Sequence, residues 1–534
     1  MGESAHVDRF VLERLPPPAQ QPDFLFDLPE LKYPARLNAG VDLLRRAVEA
    51  AGLDGRALID FDHTFSWKRV DLISSRMARV LVERMGLVPG NRVLLHGPNC
   101  SWTVLAWFAI LKAGGVVCAT MPMLRAAELA TVIDKAQISH ALVYDMLAEP
   151  VAEARERAPT LAHVMSSAEL QAAAMALPPG TSFDAVDTGA EDPALIAFTS
   201  GTTGKPKGCV HFHRDVLAMA DTFARHTLDL GPGDVVVGTP PIAFTFGLGG
   251  LVVFPAAAGA ATAFPKQPGF EALAETIEGQ RATAIFTAPT GYRALLKLAD
   301  QRDLSSLRTC VSAGETLPAA TSDAWHAATG VRIIDGIGST EMIHIFISAR
   351  GEDIRPGCTG RAVPGYEACI VDEAGRSLPP GSTGRLAVRG PTGCRYLEDE
   401  RQAAYVQRGW NLTGDVYRLD EDGRFWFVAR SDDMIVSSGY NIGAPEVENA
   451  LLGHDAVAEA AVIGAPDAER GQIVKAFVVL HPGREPSEAL RCELQAHVKA
   501  VIAPYKYPRA LEFVDSLPKT QTGKLQRFRL KGEA

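Results

Sequence analysis

The chain has 534 residues, of which 47% are hydrophobic and 22% are charged, and its net charge at pH 7 is −10. Because this length exceeds what one hydrophobic core supports, we expect two to four structural units. The acidic balance argues against a nucleic-acid-binding protein as a whole, and the composition favours a soluble globular enzyme.

The spacing of the cysteines and the apolar segments indicate in which cellular compartment the protein is expected. The eight cysteines are scattered and form no C-x-x-C pair, which disfavours a zinc ribbon or a disulfide framework and predicts a cytoplasmic protein. Acidic residues near the N-terminus rule against a secretory signal. Residues 235–265 carry no charge, but four prolines and a Gly/Ala-rich composition indicate a buried strand, turn and helix. We therefore predict no membrane segment.

Helical and strand patterns alternate along the first two thirds of the chain. Strands at 92–96 and 115–119 are joined by a buried crossover helix at 102–112. The pattern resumes with a helix at 270–280 and with strands at 235–238, 261–264, 284–287, 309–312 and 332–335. Repeated βα units of this kind predict parallel sheets covered by helices on both faces.

The pattern changes near Glu367, where short strands with turn signals predict a small antiparallel, barrel-like part. After Arg430 a compact α+β unit follows, with predicted helices at 445–452 and 487–501 and strands at 460–463 and 474–480. We therefore predict an α/β fold. Its large N-terminal domain, residues 1–430, would contain the parallel sheets and the antiparallel part, and a small mobile α+β domain would occupy residues 431–534.

A glycine- and hydroxyl-rich loop, Thr199-Ser200-Gly201-Thr202-Thr203-Gly204-Lys205-Pro206-Lys207-Gly208, lies between two predicted strands. Glycines expose backbone N–H groups, hydroxyls add donors and two ammonium groups neutralise charge, as a polyphosphate requires. A flexible surface loop is the alternative, which the lysines and the proline between apolar strands disfavour. The loop is not a Walker A motif, because Pro206 follows Gly204-Lys205.

Three further motifs carry polar groups at strand ends or turns. In residues 335–341 a strand ends in glycines and a carboxylate, either at a ligand site or at a helix N-terminus capped by Ser339 or Thr340. The carboxylate of Asp415, after Thr413-Gly414, can accept both hydroxyls of a ribose, although an isolated Gly-Asp is more often a turn. Lys524 lies in a Gly/Thr-rich hairpin of a basic tail, which in isolation would be solvated surface.

Together and in this order, the four motifs resemble those of adenylate-forming enzymes across nearly the whole chain. That superfamily comprises acyl- and aryl-CoA ligases, peptide-synthetase adenylation domains and luciferases. Residues 199–208 match its signature loop, and residues 336–341 look like its Gly-x-Gly-x-Thr-Glu motif, with Asp335 where many members have an aromatic residue. The later motifs are matched at 413–415, 430, 439–442 and 518–524. One departure is Arg385, where the family usually has Glu, and we expect it to affect packing rather than chemistry.

The resemblance implies a site for ATP, Mg²⁺ and coenzyme A. The phosphates would be held by Thr199, Ser200, Gly201, Thr202, Thr203, Gly204, Lys205 and Lys207, and Mg²⁺ by Thr203 and Glu341. The adenosine would be bound by Ala313, Gly314, Glu315, Asp335, Gly336, Ile337, Thr340, Asp415 and Arg430, the last two at the ribose. Lys524 would contact the carboxylate and the α-phosphate, Asp432 would be the hinge of the small domain, and Gly439 would line the coenzyme A tunnel. Lys524, Thr203 and Glu341 would thus be the catalytic residues.

Residues 241–249 occupy the acyl-pocket segment of the family. Many fatty-acyl and 4-coumarate-type ligases have His where this chain has Phe244, and the segment resembles that of benzoate-CoA ligases. Residues 338–346 show the same resemblance, and residues 32–38 resemble the 2-aminobenzoate- and benzoate-CoA ligase group. The implied pocket consists of Phe244, Thr245, Phe246, Gly338, His344 and Ile345. Aromatic walls suit a flat ring and exclude a long alkyl chain. His344 would meet an ortho or meta polar substituent or be a satisfied structural histidine.

We therefore expect an aryl-CoA ligase that works through an acyl-adenylate, with 2-aminobenzoate ahead of benzoate and hydroxybenzoates. Its expected partners are an aryl carboxylic acid, ATP and coenzyme A, with no nucleic acid and no membrane, and the chain would be a monomer or a homodimer. Two alternatives stay open. One is an adenylation enzyme that loads an aryl acid onto a carrier-protein thiol. The other is a non-catalytic nucleotide-binding relative, which the presence of Lys524, Glu341 and Asp415 disfavours.

Overall fold

The computed structural model describes residues 3–60, 63–199, 206–431, 433–437, 440–467, 470–502, 504–519 and 525–531. Several predicted site residues therefore lie outside the described residues: Ser200, Gly201, Thr202, Thr203, Gly204, Lys205, Asp432, Gly439 and Lys524.

The chain begins with helix α1 (Ala39–Ala51), the antiparallel strands β1 (Arg56–Asp60) and β2 (His63–Ser66), and helix α2 (Trp67–Met85). Both helices start at polar caps, since the Asn38 side chain accepts from two backbone N–H groups of α1 and Ser66 accepts from one of α2.

A six-stranded sheet follows, in the order β6-β5-β3-β4-β7-β8. Its strands are β3 (Arg92–His96), β4 (Val116–Thr120), β5 (His140–Val143), β6 (His163–Ser166), β7 (Pro193–Thr199) and β8 (Lys207–Phe212). The helices between them are α3 (Ser101–Lys112), α4 (Ala126–Ala136), α5 (Ala148–Arg157) and α6 (Ser167–Met175). Strands β3 to β7 are parallel, and β8 returns antiparallel to β7. The crossover helix α3 is buried along its whole length, as predicted.

A nine-stranded sheet has the order β15-β14-β13-β12-β11-β9-β10-β1-β2. Its remaining strands are β9 (Val235–Gly238), β10 (Ala261–Ala263), β11 (Ala284–Thr287), β12 (Thr309–Ser312), β13 (Ile333–Gly338), β14 (Ile345–Ser348) and β15 (Arg361–Ala362). The associated helices are α7 (His213–Met219), α8 (Arg225–Thr227), α9 (Thr245–Leu248), α10 (Phe254–Ala258), α11 (Phe270–Gln280), α12 (Pro289–Leu296) and α13 (Ala319–Thr329). The strands from β1 to β13 in this order are parallel, and both edges are antiparallel.

The uncharged segment 235–265 forms β9, the helices α9 and α10 and strand β10, with π-helical turns at Gly249–Val253 joining the two helices. Its helical side chains, including Leu248, Leu251 and Phe254, belong to the same hydrophobic core as Phe223 and Phe286, whereas Val235 and Ala261 and their neighbours in the strands also pack into a second core. Within the described ranges, no helix combines the length and the apolar composition that crossing a membrane requires.

The antiparallel part contains β16 (Glu367–Val371), β17 (Thr383–Arg389), helix α14 (Gln402–Tyr405), β18 (Val406–Gln407), β19 (Trp410–Leu419) and β20 (Phe425–Arg430). The C-terminal part contains β21 (Met434–Ser437), β22 (Tyr440–Gly443), α15 (Ala444–Leu452), β23 (Val457–Asp467), β24 (Gly471–Leu480), α16 (Glu488–Val501), β25 (Ala510–Phe513) and α17 (Arg527–Lys531).

These elements confirm the predicted α/β class, with large parallel sheets first and a small α+β domain last. The domain boundary stays a prediction; β20 ends at Arg430 and β21 begins at Met434. Three predicted strands were too short. Strands β23 and β24 extend beyond the predicted 460–463 and 474–480, because they pair with each other along Val457–Asp467 and Gly471–Leu480. Strand β13 continues past Asp335 to Gly338, because its last three residues pair with the antiparallel strand β14.

Candidate active site

The predicted adenine-binding residues meet at the carboxyl ends of β12 and β13. The two strands are parallel, with Ser312 opposite Asp335, so the residues that follow β12 lie beside the end of β13. Gly314 has φ of +88°, a left-handed conformation that favours glycine. The carboxylate of Glu315 accepts a hydrogen bond from Thr290 Oγ1 at 3.0 Å. Burial raises the pKa of Glu315, against the opposing charges of Arg293 and Lys519.

Asp335 presents a carboxylate oxygen to this edge. Its Oδ1 is buried and has no hydrogen-bond partner among the described residues, while its backbone carbonyl accepts from Ser348 Oγ at 2.7 Å. Burial raises the pKa of Asp335 to about 7. A buried, unpaired acceptor of this kind is suited to a ligand that brings its own donor, such as the amino group of an adenine.

We expect ATP affinity to rise as the pH rises through about 7, because only the ionised Asp335 carboxylate accepts from a nucleobase amino group with both oxygens. The folded pKa is raised, so the carboxyl is mostly protonated at pH 6 and mostly ionised at pH 8. The gain over that interval is at most about tenfold. Equilibrium titration with ATP at each pH measures it. Asp335→Asn should remove this part of the pH dependence of ATP affinity and leave the part that comes from ionisation of the nucleotide itself. An unchanged pH profile in that variant would contradict the assignment.

Asp415 and Arg430, predicted at the ribose, face each other across β19 and β20. Arg430 Nη1 donates to Asp415 Oδ1 at 2.9 Å and to the Thr413 carbonyl at 3.3 Å. The Asp415 side chain is 10% exposed and that of Arg430 is 46% exposed. The guanidinium therefore orients a largely buried carboxylate, which is a suitable acceptor for a pair of hydroxyls.

The carboxylate of Glu341 is bound by a tyrosine that the sequence analysis did not identify. Tyr396 Oη donates to Glu341 Oε1 at 2.5 Å, and Lys207 Nζ donates to Tyr396 Oη at 3.1 Å. His211 Nε2 lies 2.8 Å from the Thr340 carbonyl oxygen. Strand β8 thus contacts the Thr340–Glu341 segment directly through His211, and Lys207 reaches Glu341 through Tyr396. No motif in the sequence singled out Tyr396, which follows Arg395 and precedes the acidic run at 398–400.

A buried ion pair is adjacent in the chain to the tyrosine that contacts Glu341. Arg395 Nη1 donates to Asp215 Oδ2 at 2.8 Å, and both side chains are 0% exposed. The guanidinium lies between the rings of Phe24 and Phe212, at 4.2 and 4.1 Å from their centroids. Because Arg395 precedes Tyr396 in the chain, the pair fixes the backbone from which the Tyr396 side chain extends.

The predicted acyl pocket centres on His344. Its ring lies 5.4, 5.8 and 4.6 Å from the ring centroids of Phe223, Phe246 and Phe254. The residue is 2% exposed, and neither ring nitrogen has a hydrogen-bond partner within the described ranges. Burial lowers the pKa of His344 to about 3, so the ring is neutral at physiological pH. Both interpretations of His344 stay predictions.

The other predicted pocket residues lie on the elements that surround His344. Phe244 precedes α9, and Thr245 and Phe246 form its first turn. Gly338 pairs with Ile345 across β13 and β14. A Cβ atom on Gly338 would lie 2.6 Å from the His344 carbonyl oxygen, so only glycine fits that contact.

The turn between Glu341 and His344 is strained. Ile343 is fully buried and has φ of +64°, a region that β-branched residues rarely occupy. Such a conformation costs on the order of 1–3 kcal/mol and persists only where the surrounding packing imposes it. The turn allows β14 to return beside β13, which places the Glu341 carboxylate and the His344 imidazole in one short connection.

Asn99 is a second residue that the sequence analysis missed. Its Nδ2 donates to the Pro240 carbonyl at 2.9 Å, and its Oδ1 accepts from the Ile242 N–H at 2.8 Å. These bonds fix the start of the acyl-pocket segment to the carboxyl end of β3. An asparagine after a strand carries no sequence signal for a contact with a segment 140 residues away.

The predicted residues of the phosphate loop from Ser200 to Lys205, and Asp432, Gly439 and Lys524, lie outside the described residues, so their roles stay predictions. Residues flanking them are described. Thr199 pairs with Lys207 at the base of the signature loop. Lys519 forms an antiparallel bridge with Leu525, the two described residues that flank the segment containing Lys524. The positive charge of Lys519 acts against the raised pKa of Glu315.

Comparison with known proteins agrees with this geometry. The family described as AMP-binding enzyme matches residues 44–395, and the AMP-binding enzyme C-terminal domain matches residues 446–524. The chain is 37% identical to a benzoate–CoA ligase of Thauera aromatica over 516 residues, which cover 94% of this chain and 97% of that protein.

Two solved structures are also similar. One is the anthranilate CoA ligase AuaEII in complex with anthranoyl-AMP, with a TM-score of 0.90, 36% identity and coverage of 95% of this chain and 99% of that chain. The other is a benzoate CoA ligase from Burkholderia xenovorans LB400, with a TM-score of 0.83, 33% identity and coverage of 93% and 100%.

Proposed function

This chain belongs to the AMP-binding enzyme family, and from that premise we propose that it is an AMP-forming aryl-CoA ligase. It would activate a benzoate-type acid through an acyl-adenylate and transfer the acyl group to coenzyme A, releasing AMP and pyrophosphate. The observation that carries this proposal is the ring of phenylalanine side chains around a neutral His344, whose ring nitrogens have no hydrogen-bond partner among the described residues. The ligases of aromatic acids named above, which align over nearly the whole chain, support it.

The first step joins the carboxylate to the α-phosphorus of ATP and breaks the bond to pyrophosphate. A carboxylate is a poor electrophile, so this conversion to a mixed anhydride with AMP prepares it for the thiol. Catalysis depends on in-line positioning and on cations near the spreading negative charge. Asp335 would orient the adenine, Asp415 with Arg430 the ribose, and Lys207 with the signature loop the phosphates. Lys524 would lie between the carboxylate and the α-phosphate.

The carboxylate of Glu341 is chemically suited to Mg²⁺, a hard cation that prefers oxygen ligands. Among the described residues, only Oε1 of Glu341 accepts a hydrogen bond, from Tyr396. Glu341 with Thr203 would therefore hold the cation, which when bound neutralises charge on the phosphates. No group of three acidic, histidine or cysteine side chains able to hold a metal exists in the described part of the chain. Mg²⁺ is usually bound by only one or two protein carboxylates, and phosphates and water complete its coordination shell.

In the second step the coenzyme A thiol attacks the acyl carbon and AMP leaves. Asp432 would be the hinge on which the small domain turns between the two steps, and Gly439 would line the tunnel for the pantetheine arm. Asp432→Pro fixes φ near about −65° and would therefore slow thioester formation more than adenylation.

Among aryl acids we propose 2-aminobenzoate as the preferred substrate, followed by benzoate and hydroxybenzoates. A neutral imidazole has one donor and one acceptor nitrogen, so His344 can accept from an ortho amino group or donate to a hydroxyl. The surrounding phenylalanine rings suit the apolar faces of the substrate. Because neither nitrogen of this buried imidazole has a partner in the part of the chain that the structure describes, a substrate that hydrogen-bonds to it satisfies a buried polar group.

Mass spectrometry of thioesters formed with ATP, coenzyme A and a panel of aryl and alkyl acids tests the proposal. We expect more thioester from 2-aminobenzoate than from benzoate, and little product from octanoate.

His344→Leu should lower kcat/KM for 2-aminobenzoate relative to benzoate by about tenfold, the equivalent of one hydrogen bond of about 1.4 kcal/mol. The same variant serves as its own control through its activity on benzoate. Turnover of octanoate above that of the aryl acids would contradict an aryl-CoA ligase, and an unchanged ratio in the variant would remove His344 from substrate selection. Parallel reactions with a purified carrier protein in place of coenzyme A identify the acceptor.

A further inference from the structure

We propose that Tyr396 is the positioning residue for the magnesium-binding carboxylate, holding one oxygen of Glu341 so that the other is presented to Mg²⁺. This inference rests on the proposed function, in which Glu341 is a ligand of the cation. It extends that function to a residue outside the four motifs that carry the family resemblance. It concerns the binding of magnesium with ATP and is independent of which acid the enzyme activates.

The direction of each hydrogen bond follows from the donors that are present. The Lys207 ammonium has only donors, so in the 3.1 Å contact it donates to the Tyr396 oxygen. The phenol has a single proton, and the Glu341 carboxylate can only accept when ionised. That proton therefore points to Glu341 Oε1, 2.5 Å away. The order of donation is therefore Lys207 to Tyr396 to Glu341.

Tyr396 is well suited to hold this position. It is 1% exposed, and a phenol carries its proton at neutral pH, so it is available as a donor. Its backbone N–H donates to Gln402 Oε1 at 2.9 Å, and Cys209 pairs with it across the neighbouring backbone. These two contacts fix the backbone of Tyr396, from which the ring extends.

The consequence for the cation is geometric. A carboxylate that rotates freely offers either oxygen in many directions, whereas one held at Oε1 offers the second oxygen in one direction. Partners that orient a metal-binding side chain usually change metal affinity or activity by about 10- to 100-fold when they are removed. The same phenol contacts Lys207 of the signature loop, so the orientation of Glu341 is coupled to the phosphate-binding segment.

Tyr396→Phe should therefore weaken the apparent affinity for Mg²⁺ by about 10- to 100-fold when ATP binding is titrated by calorimetry over a range of Mg²⁺ concentrations. The matched control is Tyr405→Phe, which removes a neighbouring phenol whose oxygen lies 3.3 Å from Ser339 Oγ and whose ring centroid is 5.8 Å from that of Tyr396. Tyr405→Phe should keep the parental dependence on Mg²⁺. A parental dependence in Tyr396→Phe, or an equal loss in both variants, would overturn the proposal.

A second comparison separates positioning from loss of packing. If Tyr396 acts through Glu341, adding Tyr396→Phe to Glu341→Gln should cause no further loss of Mg²⁺ affinity. Additive losses would contradict the proposal. Should Tyr396→Phe fail to fold, Gln402→Leu removes the acceptor of the Tyr396 N–H and should weaken Mg²⁺ binding in the same direction. These titrations contain no acid and no coenzyme A. A failure to form any aryl thioester would therefore overturn the proposed function and leave this inference to be decided by the titrations.

Discussion

Replacing Lys524 with alanine should slow adenylate formation by about 10²- to 10⁴-fold, the range seen when one electrostatic stabiliser of a transition state is removed. In the proposed geometry its ammonium lies between a carboxylate and an α-phosphate that have to approach each other. Without that cation two anions meet in a partly dry site, where their repulsion is worth several kcal/mol, or about 4 kcal/mol at 4 Å in a medium of intermediate dielectric constant. Exchange of labelled pyrophosphate into ATP measures this half-reaction.

The same variant should lose much less activity in converting a supplied aryl-adenylate to the thioester, because in the proposed mechanism the segment with Lys524 would move away before the thiol attacks. Lys499→Ala is a suitable control, since Lys499 lies in α16 of the same domain and packs over the ring of Tyr507. If Lys524 were only a solvated residue of the tail, pyrophosphate exchange would stay within about threefold of the parent.

Among single changes near the site, we expect Asp215→Ala to destabilise the fold most, lowering the free energy of unfolding by about 3–5 kcal/mol. It leaves the Arg395 guanidinium, which is 0% exposed, without its carboxylate partner between two phenylalanine rings. An uncompensated buried charge costs far more than a lost surface contact. The variant should show a clear fall in the midpoint of urea unfolding followed by tryptophan fluorescence.

Two comparisons make this prediction specific. Asp215→Leu combined with Arg395→Met should cost less than Asp215→Ala, because the double change removes both charges. Glu49→Ala breaks the exposed helical pair with Arg45 and should change stability by at most about 0.5 kcal/mol. Equal effects of Asp215→Ala and Glu49→Ala would show that the buried pair contributes no more than an exposed one.

Local chemistry in the sequence was sufficient for most of the fold. Apolar runs of four or five residues separated by helical patterns predicted β3, β9, β11 and β12 at their observed bounds, because buried parallel strands are continuously apolar. The error at β13 has a tertiary origin. Its last residues alternate with glycine and are strand only because β14 pairs with them.

The sequence by itself determined the residue types of the site and the order of the motifs along the chain. Parallel strands end at one edge of a sheet, so Ala313, Asp335 and their neighbours could be expected together. Asp415 and Arg430, 15 positions apart, also met as predicted. Asp335 belongs to one of two neighbouring parallel strands and Ala313 directly follows the other, and Asp415 and Arg430 pair across two neighbouring antiparallel strands.

The tertiary structure alone decided which buried polar groups have partners. Tyr396 contacts Glu341 across 55 positions, Asn99 contacts Pro240 across 141, and Arg395 contacts Asp215 across 180. No local pattern encodes such pairs, because their geometry results from the packing of whole sheets and helices. The same packing encloses His344 in phenylalanine rings, where no described residue is a hydrogen-bond partner for its nitrogens. Whether a polar side chain is a structural contact or an open binding group depends on the partners it has after folding, and those partners come from distant parts of the chain.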